Sequence, residues 1–187
     1  MYKKILQWPS PLLRKKAKDV SHDEIASLEF QSHLHDLMDT CDVALGLGLA
    51  SNQIGMAYNA FVIRPQGLDF DNPDPSEYKS QFMVCINPVF KPSLEKVKWK
   101  EACLSLTGLE MNVKRHKSGT LEYISERGEQ KSVDLKWPLS GAVQHELDHL
   151  SGKTIAHVDR KRSAASITLS LWRKKKMKHS LKLKREK

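Results

Sequence analysis

The chain of 187 residues contains no run of about 20 apolar residues, the length a membrane-spanning helix requires. Residues 1–13 are broken by lysines, by Trp8-Pro9 and by Pro11, so no secretory signal is expected there. Cysteine is scarce. Cys41, Cys85 and Cys103 are odd in number and have no repeating spacing, which argues against a disulfide framework or a zinc ribbon and points to a cytoplasmic protein. Glycine is scarce too, and no segment reads GxGxxG or GxxxxGK[ST], so the signatures of a phosphate-cradling loop are missing. With 40% hydrophobic residues the chain can still bury one substantial core, consistent with one domain.

The most specific feature present is QHELDH, residues 144–149. On a helix, positions i and i+4 share a face, so His145 and His149 can offer imidazole nitrogens to one metal ion, with Glu146 near enough to exchange a proton with water. Pro138 and Ser140 suit the helix start, Val143, Leu147 and Leu150 form its apolar side, and Gly152 falls where a C-terminal cap is expected. A catalytic site of this kind takes three protein ligands, and Cys103, in EACLSLTG at a strand end, is the strongest third candidate. Cys41 and Cys85 sit in apolar patterns and read as small buried hydrophobes.

A third segment, ALGLGLASNQIG at residues 44–55, alternates glycine with leucine. Such spacing marks either an ordinary turn or an extended edge where a second backbone can lie close and pair as an added strand, with Gln53 offering an amide N–H to developing negative charge.

Together these segments resemble peptide deformylase. The family carries GxGLAAxQ, EGCLS and QHExDHLxG in this order, and the chain reads GLGLASNQ, EACLS and QHELDHLSG. The similarity spans about residues 1–160, including ILQWPSPLLRKKAKDV near the start and INPVF before the second motif. The resemblance implies that Cys103, His145 and His149 are metal ligands, that Glu146 is the general acid and base, and that Gln53 and the Leu104 backbone N–H stabilise the oxyanion. It also implies that Leu47, Gly48 and Ala102 align the peptide, and it loosely matches Arg115 to a substrate-side arginine. The implied reaction is removal of the N-formyl group from the initiator methionine of nascent polypeptides, releasing formate, with Fe2+ as the native metal. The ligand types alone also admit Zn2+, Ni2+ or Co2+. The chain departs from the family at Ala102, usually glycine, at Ser51 and Asn52, and at Thr107, where proline is frequent. None of these removes a ligand or a charge.

The expected fold is α+β, with antiparallel strands packed around a buried metal-binding helix. A capping box at Ser21 and Glu24 opens a helix whose apolar positions include Ile25, Leu28, Leu34, Leu37, Met38 and Cys41. NAFVIR, QFMVCINPVF, GTLEYISE and KSVDLKW read as strands, and DFDNPDPSEYKS as an acidic surface loop. The net charge of +9 is uneven: residues 161–187 hold 11 Lys or Arg against one acidic residue, while residues 1–160 are at −1. That tail, helical or disordered, is either a solvated terminus or an arm for RNA phosphates, and the resemblance makes ribosomal RNA its natural partner. Two other functions fit parts of the sequence. An HExxH metallopeptidase would cleave unformylated peptides, and an RNA-binding protein with a structural metal would need a fourth protein ligand.

Overall fold

The computed structural model describes residues 1–65 and 82–158; the expected acidic loop and the basic tail lie outside them. Seven strands run β1 (Gly48–Ala50), β2 (Ala60–Ile63), β3 (Met83–Pro92), β4 (Lys96–Ala102), β5 (Glu110–His116), β6 (Ser118–Ile124) and β7 (Gln130–Lys136). Helices α1 (His22–Ile25) and α2 (Leu28–Val43) precede them, and α3 (Leu139–Leu150) and α4 (Ile155–Val158) follow. All the strand pairs are antiparallel. Five strands form a sheet in the order β1-β2-β3-β6-β7, and β4 with β5 forms a separate ribbon. This is the α+β architecture expected.

The four strand-like runs fall in β2, β3, β6 and β7. β2 is buried at every position, which is why Ala60–Ile63 is continuously apolar rather than alternating. Its side chains point to opposite faces by turns. Ala60 and Val62 join Leu49, Val84 and Ile86 against Phe30, Leu34, Leu37 and Cys41 of α2. Phe61 and Ile63 join Ala50, Cys85, Leu121 and Leu135 against Ala142, Val143 and Leu150 of α3. The central sheet is thus packed between two helices, and α3 runs inside the molecule rather than across its surface.

The single long helix expected from Ser21 onward is two. The capping box is present, with the Ser21 hydroxyl accepting from Glu24 N and the Glu24 carboxylate accepting from Ser21 N. After one turn, however, Ser27 caps a new helix by accepting from Phe30 N. The restart turns Leu28 outward, 90% exposed, and puts Phe30 into the core.

Ser51 and Asn52 are buried connectors. The Ser51 hydroxyl donates to the Ala60 carbonyl at 2.9 Å, so it accepts the 2.9 Å hydrogen bond from His33 Nε2. The His33 ring, 5% exposed, lies beside Phe30 and Tyr58. Burial lowers its pKa to about 4, against a smaller opposing pull from Asp36. The unfolded chain takes up this proton near pH 6.5 and the folded one only near 4, so stability is full above 6.5 and falls across that window. A loss of about 2 kcal/mol is expected from this group between pH 7 and pH 5. Urea unfolding at the two pH values checks it: His33→Gln should be less pH-sensitive than wild type by that amount, and equal sensitivity would refute the assignment.

Candidate active site

β4 ends at Ala102 and delivers Cys103 to the face of α3 that carries the two histidines. Cys103 Sγ lies 3.2 Å from His149 Nε2, and the rings of His145 and His149 are 5.0 Å apart, one helical turn from each other. The sulfur and one nitrogen of each histidine all lie within 4.8 Å of one another. His145 Nδ1 is hydrogen-bonded to Glu101 Oε2 at 2.9 Å, which leaves Nε2 as the nitrogen available to a metal. A thiol and two imidazoles in a mostly buried cluster suit a divalent transition metal. Among the described residues the cluster offers three donors rather than four, which suits a catalytic site better than a closed structural one. Cys41 and Cys85 are free, buried and apart from it, and burial raises both thiol pKa values.

The pKa values of the two carboxyls beside the cluster are shifted in opposite directions. Burial alone would raise the pKa of Glu101, but hydrogen bonds from Arg115 and His145 overcome it and hold the carboxyl at about 2. Glu146 lacks such a clamp: burial pushes its carboxyl up to about 7, and Oε2 is buried with no hydrogen-bond partner. Gly48 makes room for it, since a Cβ at that position would come within 2.8 Å of Glu146 Oε1. A side chain at position 48 would therefore displace the Glu146 carboxylate from this position. Gln53 is fixed by accepting from Ala50 N at 2.9 Å and donating to Ser105 Oγ at 3.1 Å.

These groups border a cavity of about 410 Å³. Its lining includes the polar Gln53, Glu101, Cys103, His145 and Glu146 and the largely apolar Leu47, Trp99, Leu104 and Ala142. β1 is the outermost strand of the sheet on this side. Gly48 and Ala102, from two different strands, therefore face the same opening.

A family model described as polypeptide deformylase matches residues 2–164. The chain belongs to the peptide deformylase family. It is therefore an enzyme, a metal-dependent hydrolase that removes the formyl group from nascent peptides. A peptide deformylase of Xylella fastidiosa (strain M12) is 34% identical over 149 residues, covering 80% of this chain and 82% of that protein. One from Aquifex aeolicus (strain VF5) is 34% identical over 160 residues, covering 86% and 88%. The crystal structure of a peptide deformylase from Legionella pneumophila superposes with a TM-score of 0.79 at 28% identity, over 96% of this chain and 98% of that one.

The structure brings Leu47, Gly48, Gln53, Ala102, Cys103, Leu104, His145 and Glu146 to the cavity, and groups His149 with Cys103 and His145 in the candidate metal cluster. It does not bring Arg115 there. That guanidinium is 4% exposed and committed to Glu101, at 2.7 and 2.9 Å, and to Asp148 at 2.6 Å. Sequence reasoning passed over Glu101, Asp148, Gln144 and Trp99, although the first three lie inside the motifs. Gln144 clamps α3 to the end of β5, donating to the His116 carbonyl at 2.9 Å and accepting from its N–H at 3.0 Å. No helix of the described residues is long and apolar enough to cross a membrane.

Proposed function

We propose that Cys103, His145 and His149 hold the metal, that Glu146 is the general acid and base, and that Gln53 and the Leu104 N–H face the formyl oxygen. The observation that carries this reading is the buried Glu146 carboxyl, its Oε2 without a hydrogen-bond partner, beside a three-donor cluster on a largely apolar cavity. A bound divalent ion would supply Lewis acidity, making water more acidic and polarising a carbonyl.

Every other part of the reaction falls to the chain's own side chains. Glu146 takes a proton from the attacking water and returns it to the departing amide nitrogen. The new C–O bond forms first and moves an electron pair onto the formyl oxygen; when that pair re-forms the carbonyl the C–N bond breaks, giving formate and a free amino terminus. A carboxyl raised to about 7 is matched to both transfers near neutral pH. Gln53 and Leu104 stabilise the charge that gathers on the formyl oxygen, each donor contributing roughly 2.7–4 kcal/mol. The peptide backbone lies along Leu47 and Gly48 with Ala102 opposite, in the manner of an added strand. An unbranched methionine side chain suits the walls formed by Leu47, Leu104 and Ala142. The extra methyl of Ala102 projects into the path of the backbone and sets the width of the cleft.

For the metal we propose Fe2+, supported by the thiolate-imidazole donor set and the family resemblance, with Zn2+, Ni2+ and Co2+ as substitutes. Residues 161–187 are proposed to contact ribosomal RNA, supported by their excess of ten positive charges. Formate release from formyl-Met-Ala-Ser by protein purified without oxygen in the presence of Fe2+ tests the reading. Release of formate with no cleavage of unformylated Met-Ala-Ser is the expected result, and the reverse pattern would make the chain a peptidase. Salt-dependent co-sedimentation with ribosomes, reduced when the basic residues at 173–178 become glutamine, tests the tail.

A further inference from the structure

Glu101 is fully engaged. Oε1 accepts from Arg115 Nε at 2.7 Å and from Trp99 Nε1 at 2.9 Å, and Oε2 accepts from Arg115 Nη2 and His145 Nδ1, each at 2.9 Å. A carboxylate has about four lone-pair directions, so each donor here has its own and none is shared. Of the outside donors, Arg115 is absent from the cavity wall while Trp99 forms part of it. The indole is braced from behind: it packs edge-on against Trp137 with ring centroids 4.7 Å apart at 83°. Trp137 in turn fills the space over Gly141 of α3, where a Cβ would meet its Cζ3 at 2.6 Å. Thus Trp99 lines the cavity, meets the His145-orienting carboxylate with its N–H, and reaches the helix bearing His145 through Trp137.

We propose that Trp99 is a positioning residue for the metal ligands, acting on His145 through Glu101. Its N–H holds Glu101 in the rotamer that orients His145. The inference rests on the metal site proposed above. Partners that orient a ligand histidine typically contribute tenfold or more to metal retention. Trp99→Phe keeps most of the ring and removes the donor. Trp137→Phe trims the same aromatic pair and leaves the donor in place.

The test is competition of a chelator for Co2+ bound to wild type and to each variant, read by the sulfur-to-cobalt absorption band. Trp99→Phe is expected to release Co2+ about tenfold more readily, and Trp137→Phe to stay near wild type. In wild type, the Trp99 indole N–H is expected to exchange with solvent far more slowly than a free indole, a measurement that requires no variant to fold. Equal retention in Trp99→Phe and wild type overturns the proposal, as does equal weakening of both variants, because packing would then account for the effect. Free-indole exchange of the Trp99 N–H overturns it too. A wild-type protein without the cobalt band refutes the metal site itself, an outcome distinct from all of these.

Discussion

Replacing Glu146 with alanine is expected to lower formate release from formyl-Met-Ala-Ser by roughly 10²–10⁴-fold, the usual contribution of a positioned acid-base group. The loss should appear in kcat, because the carboxylate acts on the proton in flight and not on the peptide backbone. Metal content should persist, since the proposed ligands Cys103, His145 and His149 do not include it. Folding should survive as well. Glu146 Oε2 has no partner to lose, and the side chain is buried at an energetic cost to the folded state. The assay therefore needs three readings on one sample: formate, bound metal and the urea midpoint. A variant that keeps its metal and fold and still turns over at more than a tenth of the wild-type rate would remove Glu146 from the proton path.

The contrast between Glu146 and Glu101 explains what was legible in the sequence. Cys103, His145, Glu146 and His149 could be read because their chemistry sits in two short segments whose spacing makes sense on a helix and at a strand end. Trp99 and Arg115 could not, because their roles depend on contacts set by strand pairing. β4 and β5 place Trp99 opposite Val113 and Glu101 opposite Met111, and only that register brings Arg115 back onto Glu101, 14 residues away. Those two strands were themselves hard to see. Their outward positions include Lys96, Lys98, Lys100 and Lys114, which weaken the strand signal, although Val97, Trp99 and Glu101 keep the two-residue period. Within the first motif, Ser51 and Asn52 read as departures near the substrate. Their side chains turn inward, Ser51 to His33 and Asn52 to the His149 carbonyl, and no local pattern announces a partner 97 residues away. The helix break at Ser27 is the local counterpart: two capping serines six residues apart compete for one periodic run, and the apolar pattern alone does not say that the second begins a new helix.

Arg115→Met is expected to be the most destabilising single change near the site, by roughly 3–5 kcal/mol, the usual cost of removing one member of a buried ion pair. The cost arises in what remains. Glu101 is 4% exposed and would keep only Trp99 and His145 as donors, while Asp148 on α3 would lose its 2.6 Å partner. The pair also sets a pH window. Arg115 and His145 hold Glu101 at about 2, below its ordinary 4.5, so the stability it contributes is complete above 4.5 and is lost as pH falls toward 2. The gap between wild type and Arg115→Met should therefore be widest above pH 4.5 and close in acid. Pairing the change with Glu101→Gln should recover part of the loss, because an amide carries no charge to leave unpaired. Urea midpoints for the two single variants and the double variant at pH 7 and pH 3 decide the matter. If Arg115→Met instead keeps its wild-type midpoint and raises KM for the formylated peptide about tenfold, the guanidinium belongs with the substrate, as the sequence resemblance implied, and its burial against Glu101 is incidental.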